Sequence, residues 1–270
     1  YMVISGNFQK AIENFESLVA KYPYDGAGHN NLAVSYFYVL DFEQAMEQGR
    51  RVVEIYPNKL FYKQNAALYA MYAGDFDAAG SLAREVIETD GTRYYARLPL
   101  AIAALAGRDW GAAEAAYEDM IATGASGASH GNLGLADLAI YRGDYDQAIE
   151  LLNTGIAADM DRGNQRAAST KYIALAEAHI LNNDPDPSAL EALETALGIS
   201  SGLSQKVGAA LHYLALGRYD PARAIADELS SNLQPQNRAY GGMIKGMVHS
   251  VRGEHAEALD ALMEASRLSD

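Results

Sequence analysis

Histidine, cysteine, serine and the carboxylates build most metal sites and nucleophilic centres, and this sequence does not gather them. It has no cysteine, which excludes disulfides, thiolate metal sites, a redox CxxC and a cysteine nucleophile together. The histidines His29, His130, His179, His212, His249 and His255 form no HExxH pair, the spacing that sets two ligands on one helix face. Serines and aspartates are plentiful, but no GxSxG elbow occurs and no strand is expected that could present one. Asp184 and Asp186 suggest two calcium ligands, yet the glycine and terminal glutamate of a calcium loop are missing. The stretch Asn182-Asn183-Asp184-Pro185-Asp186-Pro187 reads instead as a proline-punctuated turn, with Ser188 capping the next helix. The glycines between Gly124 and Gly134 are as dense as those of a phosphate loop. They follow a helix rather than a strand, and no Lys-Ser/Thr accompanies them. They read as a flexible loop running into the next helix. No catalytic centre, cofactor or metal is expected.

Charge narrows the partners further. Of 270 residues, 35 are acidic and 21 basic, a net charge of −14. A phosphate backbone is gripped by clustered Lys and Arg, so nucleic acid and anionic lipid are disfavoured. The longest apolar run, Leu98 to Ala106, falls far short of the ~20 residues a spanning helix needs. No leader pattern opens the sequence, which says little for a fragment; a cytoplasmic location is the expectation.

What the chain does contain is a repeat. Phe8, Phe42, Phe76 and Trp110 are each 34 residues apart, and Ala11, Ala45, Ala79 and Ala113 keep the same interval. Tyr145 with Ala148, Ala189, Tyr219 with Ala222, and His255 with Ala258 continue the series. A second small residue lies twelve positions earlier: Ala33, Ala67, Ala101, Ala136, Ala210 and Gly246. Ala174 takes that place in a looser sixth copy. Small side chains recur where two helices cross closely, because a larger one would hold them apart. Between the two positions lie Gly74-Asp75, Arg108-Asp109, Gly143-Asp144, Gly217-Arg218 and Gly253-Glu254. Glycine there would close the first helix in a left-handed turn and aspartate would cap the second. Pro99 predicts a helix starting near Leu98 or kinking there, and Asp220-Pro221 predicts a cap followed by Pro at the first helical position.

This pattern resembles the tetratricopeptide repeat, most clearly in His29, Leu32, Ala33, Tyr36, Phe42, Ala45 and Pro57, with Pro23 one period earlier. Gly91 and Ala125 depart from the closing proline, and Gly49 stands where a large apolar residue is expected. The resemblance covers essentially the whole chain. It implies an all-α fold, a right-handed superhelical α-solenoid of about eight helix-turn-helix units. Their approximate bounds are 1–25, 26–59, 60–93, 94–128, 129–162, 163–200, 201–236 and 237–270, one continuous domain and a fragment of a longer chain. Residues Ala11 to Pro23 and Asn30 to Tyr36 are also similar to repeat tails of bacterial serine/threonine kinases of eukaryotic type, though no kinase element lies in this sequence.

The resemblance further implies a non-catalytic scaffold that binds a protein segment along the inner face of the first helices. Its ligand-facing positions fall on Asn30, Val34, Phe37 and Tyr38, then Phe61, Gln64, Leu68, Met71 and Tyr72. Tyr95, Leu98, Ile102 and Leu105 follow, and then His130, Leu133, Asp137, Ile140 and Tyr141. Tyr38, Phe61, Tyr72, Tyr95 and Ile102 are the strongest of these. The family's clamp for an acidic peptide needs Lys and Arg, but the matching positions here carry Asn30, Val34 and Gln64. Lys63 and Arg97 are expected to point to the interior or the rim. An apolar or basic segment therefore fits better than an acidic one. A module of a larger signalling protein, acting by regulation or self-association, is the alternative.

Overall fold

A computed structural model of the chain describes residues 8–182 and 186–269. The described residues form α-helices, one short 3₁₀ turn and connections, with no strand among them. They divide into two compact units, residues 1–131 and 132–270.

The first unit contains α1 (Phe8–Lys21), α2 (Gly26–Tyr38), α3 (Phe42–Ile55), α4 (Leu60–Tyr72), α5 (Phe76–Thr89), a 3₁₀ turn (Tyr94–Ala96), α6 (Arg97–Ala106) and α7 (Trp110–Ala122). α8 (Ala125–Arg142) follows. The second unit holds α9 (Tyr145–Asp161), α10 (Gln165–Leu181), α11 (Asp186–Ile199), α12 (Leu203–Ala215), α13 (Tyr219–Ser230), α14 (Pro235–Val251) and α15 (His255–Ser269). Within each unit, helices adjacent in sequence pack on one another. The first helix of a pair also touches the first helix of the next: α4 meets α6, α10 meets α12, and α12 meets α14. That second contact separates the two helix classes. B helices such as α3 bury one stripe, Ala45, Gly49 and Val52, at the 3–4 residue spacing of a single face. A helices such as α4 are enclosed on more sides and bury Ala66, Ala67, Tyr69, Ala70 and Met71.

The alanine frame sits where the sequence demands it. Ala33, Ala45, Ala67, Ala79, Ala101, Ala113, Ala136, Ala148, Ala210 and Ala222 are all fully buried. The sixth copy shifts. Asn182 closes α10 on the Ala178 carbonyl as Leu216 closes α12 on that of His212, so Ala176, not Ala174, matches Ala210. Gly49 leaves room for a ring: a Cβ there would lie 2.8 Å from Tyr69 Cδ2.

The turns obey the expected chemistry with four corrections. Asp41, Asp75 and Asp109 accept from the backbone N–H groups of Gln44, Ala78 and Ala112 at 3.0–3.1 Å, caps worth about 1 kcal/mol each. Gly74, Gly143, Gly217 and Gly253 are left-handed. Asp144, however, makes no side-chain cap. Arg218 rather than Asp220 precedes α13, which puts Pro221 at its third residue. Ser188 is the third residue of α11, not its cap, because the helix starts at Asp186. Asn183, Asp184 and Pro185 of the expected turn lie outside the described residues. The glycine-rich stretch is helix, not loop. Only Gly124, φ +123°, breaks the chain, while a Cβ on Gly127 would strike the Met120 carbonyl and one on Gly131 would lie 2.7 Å from the Tyr117 carbonyl. Those glycines let α8 press against the backbone of α7. Pro99 falls in the first turn of α6, as its missing N–H requires.

Among the described residues, two that are not glycine occupy the left-handed turn position, Leu40 at φ +63° and Arg108 at φ +59°. Such a conformation costs an L-residue roughly 1–2 kcal/mol. Arg108 extends into solvent, whereas Leu40 exposes an apolar side chain, 72% accessible.

Candidate functional site

The A helices of the first unit carry a run of rings. Tyr38 stacks on Phe8 at 4.6 Å between centroids, Phe37 meets the Tyr72 ring edge-on at 4.9 Å, and Tyr72 stacks on Phe42 at 5.3 Å. Stacked and edge-on pairs of this kind fix the direction of each ring. Tyr38, Phe61 and Tyr72 nevertheless remain 58, 54 and 46% exposed.

The other candidates are less accessible. Phe37 and Val34 pack against the Ala33–Ala45–Tyr69 core, and Leu68, Leu98 and Ile102 pack against the Ala70–Met71–Ala79 core. Met71 itself is buried and presents no surface to a ligand. Asn30 is tied to the next A helix, its Oδ1 accepting from Asn65 Nδ2 at 3.2 Å. Lys63 turns to Glu85 of α5 at 2.5 Å, and Arg97 Nη1 donates to the Arg93 carbonyl at 3.4 Å.

At the end of this face lies a cleft of about 580 Å³ lined by Gln64, Thr92, Arg93, Tyr94, Tyr95 and His130. Three rings wall it: Tyr94 and Tyr95 lie 6.0 Å apart at 73°, and His130 sits 5.1 Å from Tyr94 and 5.9 Å from Tyr95. Local capping builds the turn. Asp90 Oδ1 accepts from the Thr92 hydroxyl at 2.6 Å and the Thr92 N–H at 3.1 Å, and Oδ2 accepts from Arg93 Nε at 3.1 Å. These contacts, the Thr92 bonds foremost, hold the Asp90 carboxyl below its ordinary value. Burial pushes the Tyr95 phenol up, with Tyr72 and Tyr94 adding to the effect. His130 Nδ1 lies 2.9 Å from the Ser126 carbonyl and must carry the proton there, which leaves Nε2 of the neutral ring as an acceptor. Gln64, Tyr95 and His130 were legible as groove positions. Thr92, Arg93 and Tyr94 were not, because the repeat register assigns them to a connection.

The second unit places different chemistry on its A helices. Asp137 of α8 keeps an exposed surface, yet its carboxyl is pushed up to about 6, first by the protein displacing water around it and then by Glu177; Lys171 opposes both. Glu177 of α10 lies 3.8 Å from His212 Nε2 of α12, and His212 Nδ1 donates to the Gly208 carbonyl at 2.7 Å. Burial draws the imidazole down, but the Glu177 contact and the Gly208 bond outweigh it and its pKa is raised. Glu177 is lowered by the same contact. Deeper in, Lys171 Nζ meets Asp159 Oδ2 at 2.6 Å with both side chains buried, and Arg162 stands 3.5 Å from Asp159 Oδ1. Gly155 makes the space, since a Cβ there would lie 2.8 Å from Lys171 Cε. No described helix is long and apolar enough to cross a membrane.

Residues 133–204 match the tetratricopeptide repeat family model. Solved structures agree across nearly the whole chain. A tetratricopeptide repeat protein from Parabacteroides merdae superposes with a TM-score of 0.60 at 15% identity, covering 97% of this chain and 93% of the other. Yeast Tom70 gives 0.71 at 17% identity, covering 97% of this chain and 55% of the other. PilW, a type IV pilus biogenesis factor, gives 0.53 at 15% identity, covering 77% and 93%. No curated protein matches in sequence. The fold is that of tetratricopeptide repeat α-solenoids.

Proposed function

We propose, with the tetratricopeptide-type solenoid as premise, that this chain is a non-catalytic scaffold whose A-helix face between residues 26 and 131 seats a segment of another protein. One observation carries the reading: Tyr38, Phe61 and Tyr72, on two successive A helices, stay about half exposed although each has ring neighbours to pack against. Exposed aromatic strips mark protein contacts, and Tyr supplies large contact area with few rotors to freeze. The segment is apolar or basic, because the groove positions hold no Lys or Arg and the chain is strongly acidic.

Peptides selected from a displayed random library on the intact chain should be rich in aliphatic, aromatic and basic residues. They should lose at least about tenfold in affinity on a Tyr72→Ala/Tyr95→Ala double variant of unchanged helicity, as expected when two aromatic anchors are truncated. Equal binding to the double variant removes the groove from the reading.

A second reading, self-association, is favoured by α15. Counted from the repeat alanine, Leu262 matches Leu152 and Leu193, which are fully buried, yet Leu262 is 41% exposed and flanked by exposed Leu259 and Met263. Sedimentation at rising concentration separates the two: dimers lost in Leu262→Glu support it, and a strict monomer rejects it.

A further inference from the structure

We propose that the cleft walled by Tyr94, Tyr95 and His130 is a subsite for a guanidinium group, the arginine side chain of a docked segment. This deepens the groove reading and rests on it. Two of the rings stand nearly perpendicular to Tyr95, at 73° and 81°, so a planar cation entering the cleft meets π density from more than one direction. An aromatic face attracts a cation through its quadrupole, and guanidinium also stacks because it is flat and weakly hydrated.

The polar groups in the wall suit a ligand that only donates. His130 spends its Nδ1 proton on the Ser126 carbonyl, so Nε2 accepts. Gln64 contributes an amide oxygen and the tyrosines contribute phenol oxygens. Guanidinium has five N–H donors and no acceptor. Arg93, the one cation of the lining, would repel such a guest, but Asp90 holds its Nε at 3.1 Å and answers its charge. The net charge of −14 adds a favourable long-range field. A carboxylate guest would have to compete with Asp90 for Arg93. A purely aliphatic guest would leave the acceptors unanswered.

The probe is N-acetyl-arginine amide, titrated into the full chain while the ring resonances of His130, Tyr94 and Tyr95 are followed. Saturable shifts in the millimolar range are expected. The neutral isostere N-acetyl-citrulline amide should bind about tenfold more weakly. His130→Phe, which keeps an aromatic ring and removes the acceptor, and Tyr94→Leu should each weaken the probe severalfold with helicity intact. The inference is overturned if norleucine amide or glutamate amide binds as well as the arginine probe, or if the rings do not respond. Such a failure, with Tyr72-dependent peptide binding intact, removes the subsite alone. Loss of the selected peptides' dependence on Tyr72 and Tyr95 removes the groove instead.

Discussion

On the A helices of residues 8–131 stand Tyr38, Phe61 and Tyr72, rings that pack against other rings and still meet water. On α8, α10 and α12 stand instead Asp137, Glu177 and His212, whose charges bias one another. Beneath both lies the same frame of fully buried alanines. The difference teaches that the frame and the face are separable. Closeness of the helices is set by side chains of one methyl group, so residues on the accessible face can change from aromatic to ionic without disturbing the stack.

The sharpest way to break that separation is in the second unit, where charge has entered the frame itself. Lys171→Met should strand the Asp159 carboxylate in the core and cost about 3–5 kcal/mol, and pairing it with Asp159→Leu should restore most of the loss. Urea unfolding read through amide exchange of residues 132–269 checks this; a single-variant loss under about 1 kcal/mol would mean the pair does not hold the core. Next, Ala79→Leu should push α4 and α5 apart and cost about 1–3 kcal/mol, read by the same exchange in residues 8–131. If that crossing absorbs leucine at no cost, the alanine frame does not govern the spacing.

The ionic face gives a pH signature of its own. Asp137 has a folded value of about 6, above its ordinary 3.8. The folded state therefore binds the extra proton between those values, and this group lowers stability as pH rises through that window. Asp137→Asn should raise the urea midpoint at pH 8 and leave it unchanged near pH 3. His212, raised, adds stability that is lost as pH climbs through its folded value. Glu177, lowered, adds stability that is lost as pH falls through its own. A midpoint that does not move with pH in the Asp137 variant comparison contradicts the assignment. The smallest effect belongs to Leu40→Gly. Relief of the left-handed strain, offset by the flexibility glycine gives the unfolded chain, should leave a gain of at most about 1 kcal/mol. Gly74→Ala, φ +82° in the matching turn, should shift thermal unfolding the other way.

The frame was legible because it repeats: an alanine that returns every 34 residues reports a geometric constraint, and Asp75 and Asp109 announced their caps by type and place. The rest was hidden for physical reasons. Gly127 and Gly131 looked like a flexible connection because local propensity cannot register that another helix's carbonyls lie against them. Met71 has the spacing of a face residue but is enclosed by its neighbours. The cleft escaped because Thr92, Arg93 and Tyr94 belong to a turn whose shape depends on Asp90, not on the repeat. Nothing local in the sequence marks Lys171 and Asp159, since only packing brings together two residues from adjacent helices and buries them.

That buried pair also limits how such an array can grow. Gene duplication lengthens repeat proteins by inserting whole copies at their seams. A copy spliced between α9 and α10 would part Lys171 from Asp159 and break the 2.6 Å contact that answers their charges in the core. The seam at residue 162 should therefore tolerate insertion less readily than the seam between α3 and α4, where Gly49 receives the Tyr69 ring.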